Sequence, residues 1–123
     1  MQDELIIYHN PNCSKSRETL AILQAGNKTP TIIDYLKNPP TEQELKKIIE
    51  LLGVSPRELL RTGETAYLQE NLDDLSLNGD QIIGSMCAHP ILIERPIVIS
   101  GGKAVIGRPP SVVLDIINPR QVG

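Results

Sequence analysis

The chain has 123 residues, a formal net charge of −3, and three tyrosines with no phenylalanine or tryptophan. That length suffices for one domain, 1–123, with its own core, and the missing large aromatics oblige the core to be aliphatic. Negative charge without stacking aromatics weighs against nucleic-acid binding, and no apolar run or basic-then-apolar leader suggests membrane insertion.

Leu5-Ile6-Ile7-Tyr8 reads as a buried strand. From Ser14 the apolar residues Leu20, Ile22 and Leu23 fall on a helical period, predicting a helix to about Ala25 that ends at a left-handed Gly26-Asn27 cap. Thr31-Ile32-Ile33-Asp34-Tyr35 is a second short strand, so a parallel pair with a right-handed crossover is expected. Asn38-Pro39-Pro40 stops the chain. Thr41 and Glu44 then form a capping box before Leu45, Ile48, Ile49 and Leu52, and Gly53 closes that helix. Ser55-Pro56-Arg57-Glu58 repeats the start signal. Ile82, Ile83, Met86 and Cys87 mark another amphipathic helix, running to His89-Pro90. Pro96-Ile97-Val98-Ile99 and Ala104-Val105-Ile106 read as strands joined by a hairpin turn at Ser100-Gly101-Gly102-Lys103. Pro109-Pro110-Ser111 opens a last helix carrying Val112, Val113, Ile116 and Ile117.

The predicted order is β-α-β, a helical block over about 41–89, then β-β-α. With a cysteine after the first strand, this is an α/β, thioredoxin-like plan with an inserted helical region. That plan places a cis proline before its third strand, facing the cysteine, and Pro96 stands there.

Cys13 is the main candidate for chemistry. It falls at or just before a helix N-terminus, where unpaired N–H groups and the helix dipole favour a thiolate. Lys15 and Arg17 add positive charge nearby. Thiols so placed titrate at roughly 3.5–7.5 rather than about 8.5. Ser16 stands where dithiol oxidoreductases carry a second cysteine, so an outside thiol such as glutathione would have to release any adduct. The Ser16 hydroxyl either donates to the sulfur or serves as an ordinary first-turn serine. His9 either orients the cysteine loop or packs within it. Arg61, Arg95 and Arg108 each fall at an element boundary, two of them before proline, where extended geometry aims a side chain off the end of an element. Their planar donors suit a tetrahedral oxyanion. Cys87 reads as a buried packing cysteine, and His89 as a helix C-terminal residue. No His, Cys or carboxylate spacing suggests a metal site, and two distant cysteines make no disulfide framework, so a reducing cytoplasm is the simplest compartment.

His9-Asn10-Pro11-Asn12-Cys13-Ser14-Lys15-Ser16-Arg17 resembles the active-site loop of the glutaredoxin-coupled arsenate reductases, the ArsC family. Similar blocks are Tyr35-Leu36-Lys37-Asn38-Pro39-Pro40, Glu58-Leu59-Leu60-Arg61, His89 through Val98, and Gly107-Arg108-Pro109. The resemblance runs across nearly the whole chain, as a short-chain member lacking the C-terminal segment some relatives carry beyond the last helix. It implies a thioredoxin-like fold with added helices, a nucleophilic Cys13, and oxyanion binding by Arg61, Arg95 and Arg108, with His9 and Ser16 in support. It further implies arsenate as substrate, glutathione as co-substrate, glutaredoxin as partner and no bound cofactor.

Three functions compete on this reading. The first is reduction of arsenate to arsenite through a Cys13–arsenic adduct. The second is a glutathione-dependent thiol-disulfide reductase, in which the arginines hold the carboxylates of glutathione. The third is an RNA-polymerase-binding regulator of the same superfamily, weakened here because Ser16 removes the Cys-x-x-Cys switch.

Overall fold

In the computed structural model, which describes residues 5–117, the chain runs through β1 (Leu5–His9), α1 (Ser14–Ala25), β2 (Thr31–Asp34), α2 (Glu42–Leu52), α3 (Thr65–Gln69), α4 (Gly79–Ala88), β3 (Ile97–Ser100), β4 (Lys103–Ile106) and α5 (Leu114–Ile117). Two compact units form. One holds the described residues up to Tyr35 and from Arg95 onward; the other is Leu36–Glu94. The tail on which the short-chain reading rests lies outside the described residues.

The first unit is a four-stranded sheet in the order β2-β1-β3-β4. β1 and β2 are parallel, as the strand–helix–strand reading requires, and the other neighbours are antiparallel. Its core is a cluster of Ile7, Leu23, Val98, Val113, Ile116 and Ile117, aliphatic as the composition demands. The β3–β4 hairpin turns on Gly101 and Gly102, with φ of 56° and 79°, between the paired Ser100 and Lys103. Two positive φ values in a two-residue loop match the right-handed twist of the flanking strands. At the end of α1 the left-handed residue is Asn27, at φ 61°, while Gly26 keeps a negative φ. The predicted last helix begins instead as a 3-10 turn, Pro110–Val113, before α5. The Arg95–Pro96 bond is cis, as the plan expects; Arg108–Pro109 is cis as well, which the sequence did not announce.

In the second unit α2 starts on the predicted Thr41–Glu44 capping box and ends at Gly53, φ 70°. α4 packs against α2 and starts on a second capping box, Asn78 with Gln81. The start signal at Ser55 yields only a 3-10 turn, Pro56–Leu59. The turn goes no further because Leu60 is extended and pairs with Ile93 in an isolated antiparallel bridge. Cys87 is half-buried rather than buried, since Ile82, Ile83 and Met86 take the inner face of α4. Burial and the Glu42 and Glu44 carboxylates push its thiol up. No helix among the described residues is long and apolar enough to cross a membrane.

Candidate active site

Strand register brings the site together. Tyr8 near the end of β1 pairs with Ile97 at the start of β3, and Ile97 pairs with Ile106 at the end of β4. The loop after β1, Arg95 before β3 and Arg108 after β4 therefore emerge at one end of the sheet. Alternating strand direction makes residues far apart in sequence neighbours in space.

Cys13 occupies the N-cap position of α1 with extended backbone, and its side chain makes no cap bond. Its N–H donates to Asn10 O at 3.0 Å and its carbonyl accepts from Arg17 N–H at 3.0 Å. The preceding turn is shaped by Asn10, whose Oδ1 accepts from Asn12 N–H at 2.9 Å. Arg17, expected to act through its charge, donates from Nη1 to Pro11 O at 2.9 Å and ties down the outside of the loop.

Cys13 is only 8% exposed, yet its sulfur faces donors as well as packing. Burial is the largest influence and pushes the thiol up. It is outweighed by the Ser16 N–H, by the hydrogen bond and charge of the Arg95 guanidinium, and by the Lys15 N–H, so the thiol lies below its ordinary value. Arg108 Nη2 stands 3.8 Å from the sulfur, and its Nε donates to Arg95 O at 2.8 Å. The two arginines and the thiol thus share one locus, with Arg95 half-buried and Arg108 exposed.

The Ser16 hydroxyl does not serve the sulfur. Fully buried, it accepts from Asn10 N–H at 3.0 Å and lies 2.7 Å from His9 Nδ1. The direction of that second bond follows the tautomer of His9: Oγ donates to a bare Nδ1 and accepts from a protonated one. Burial lowers the His9 imidazole; Asp34 opposes this and Arg17 assists it. His9 stays neutral near pH 7 and holds the loop through Ser16. Asn10, 4% exposed, was missed in the sequence; the signal was an Asn able to close a turn two residues on.

Arg61 belongs to the other unit. There its Nη1 pairs with Glu94 at 2.6 Å and its Nε with Glu64 at 3.5 Å, and its N–H donates to Leu92 O at 2.8 Å. Among the described residues no group of three or more His, Cys, Asp or Glu could hold a metal ion.

The sequence model of the ArsC family matches residues 8–116. The chain is 47% identical over 114 residues to the arsenate reductase of Haemophilus influenzae, covering 92% of this chain and 98% of that one. It is 46% identical over 118 residues to Escherichia coli K12 YfgD, an uncharacterised protein, covering 95% and 99%. A solved arsenate reductase from Vibrio cholerae superposes with a TM-score of 0.90 at 45% identity, over 94% of this chain and 99% of that chain.

Proposed function

Because the chain belongs to the ArsC family, we propose that it is an oxidoreductase that reduces arsenate to arsenite with Cys13 as nucleophile. The observation that carries the reading is the Cys13 sulfur, acidified by Ser16 N–H and Arg95 and 3.8 Å from Arg108. Guanidinium groups offset the charge of the oxyanion, so an anionic sulfur can approach it; two bare anions in a half-dry site would repel. Arg61 is assigned as a third anion-binding group on the family resemblance.

The Cys13 thiolate attacks arsenic. An S–As bond forms and an As–O bond breaks, its oxygen leaving as water after taking a proton from solvent. A glutathione thiolate then attacks the Cys13 sulfur. The S–S bond forms, the S–As bond breaks, and its electron pair stays on arsenic, which passes from As(V) to As(III) and departs as arsenite. Two thiols have become one mixed disulfide. A glutaredoxin supplies the thiol that clears it. An external reductant is supported by Ser16, which fills the place of a resolving cysteine, and by the elevated, less reactive thiol of Cys87.

Arsenite release with glutathione and glutaredoxin tests the reading. Cys13→Ser should fall to the uncatalysed background; equal rates from variant and parent would refute the nucleophile. Turnover of small mixed disulfides at a rate indifferent to arsenate would favour a thiol-disulfide reductase instead.

A further inference from the structure

Neither Gly107 nor Thr19 would touch substrate, yet the two meet where Arg108 begins. A Cβ built on Gly107 would stand 2.7 Å from Thr19 Oγ1, 2.9 Å from Pro96 Cγ and 3.2 Å from Thr19 Cγ2. Carbon contacts settle at about 3.5–4.0 Å, so the space a side chain needs is already filled. The demand is for room: unlike Gly101 and Gly102, Gly107 has no positive φ.

The filling atoms yield poorly. Thr19 is fully buried and stiff about χ1 as a β-branched residue. Its hydroxyl donates to Lys15 O at 2.8 Å, in the first turn of α1 whose N–H groups face the sulfur. Pro96 is a buried ring, and its carbonyl accepts the Gly107 N–H at 2.8 Å. One residue on, Arg108 N–H donates to Ile106 O at 2.8 Å, and the side chain reaches Arg95 O and the Cys13 sulfur. A retreat at 107 of about 0.5–1 Å, enough to restore ordinary contact, would shift the backbone from which the Arg108 side chain reaches both.

We infer that Gly107 and Thr19 are positioning residues of the anion site: the bare backbone of Gly107 rests on Thr19 and Pro96, and that seat sets where the Arg108 guanidinium stands against the Cys13 sulfur. The inference rests on the assignment of Cys13 and Arg108 to oxyanion binding, and its test is independent of turnover.

The readout is protection of Cys13 from iodoacetamide by arsenate, titrated to an apparent Kd in the full chain. Gly107→Ala should weaken protection about tenfold or more, as loss of a contact to a charged group does. On an Arg108→Ala background the same change should add little, whereas a general structural fault would add in full. Thr19→Ala, which removes the hydroxyl and the methyl, should restore part of the protection lost in Gly107→Ala. Unchanged protection in Gly107→Ala, or full additivity with Arg108→Ala, overturns the inference. Should Gly107→Ala not fold, Thr19→Ala alone, which removes the support from the other side of the seat, takes its place: unchanged protection, or full additivity with Arg108→Ala, overturns the inference. Protection left intact by Arg108→Ala alone would overturn the assignment of Arg108 first, and the seat with it.

Discussion

Two groups of Ser16 do different jobs, and they can be separated. Its backbone N–H faces the Cys13 sulfur, while its hydroxyl is bound to His9 and Asn10 N–H. Ser16→Ala removes only the second. It leaves the Asn10 N–H and His9 Nδ1 buried without a partner, which should cost about 1–3 kcal/mol of stability in urea unfolding. The pH midpoint of Cys13 alkylation should stay near the parent's, whereas Arg95→Ala should raise it, since Arg95 supplies both a hydrogen bond and a charge to the sulfur. A Ser16→Ala midpoint raised as far as that of Arg95→Ala would show the hydroxyl acting on the thiol after all. Cys13 itself was legible because a cysteine set between the end of a strand and the start of a helix meets unpaired N–H groups that favour a thiolate. The use of the Ser16 hydroxyl was not, because a first-turn serine has several neighbours within reach and sequence does not rank them.

At the scale of elements, signals that rely on local hydrogen bonds were read well. The Thr41–Glu44 box closes as expected, with Glu44 N–H to Thr41 Oγ1 at 3.1 Å and Thr41 N–H to Glu44 Oε1 at 2.9 Å. Thr41→Ala should lower stability by about 1 kcal/mol, seen as a lower urea midpoint with unchanged slope; no change would mean that water replaces the cap without loss. The equivalent start at Ser55 misled because its fate is decided remotely. Ser55 Oγ does accept from Glu58 N–H, at 3.3 Å, but Leu60 is drawn into the bridge with Ile93 and the turn stops. α3 has five residues and no buried side chain, so it leaves no apolar period to detect. The Asn78–Gln81 box was visible in principle, as an Asn followed by Gln three residues later.

Across the molecule, the sheet was legible because each strand is short, apolar and bounded by turn residues, and a parallel β1–β2 pair follows from the helix between them. Register was not written in any single strand, and register is what puts Arg95 and Arg108 at the end of the sheet where Cys13 lies. Arg61 was marked by its boundary position and by the family resemblance, but nothing in its local sequence announces the carboxylates it pairs with, Glu64 and Glu94. Ionisation of Cys13 has a consequence for the whole fold. Its thiol is more acidic folded than unfolded, so between the two values the unfolded chain binds more protons and stability rises with pH. The gain is complete above the ordinary thiol value of about 8.5 and is lost as pH falls through the lowered folded value. His9, held below its ordinary imidazole value, acts in the same direction at lower pH, its contribution fading as pH drops below about 6.5. Thermal melting of parent and Cys13→Ser across pH 5–10, about 0.5 unit apart, isolates the thiol. The difference between them should widen in the parent's favour from the folded value up to about 8.5 and then level off. A difference that stays flat, or that narrows with rising pH, would mean burial wins over the Ser16 N–H and Arg95, and that the sulfur is protonated where the chemistry needs it charged.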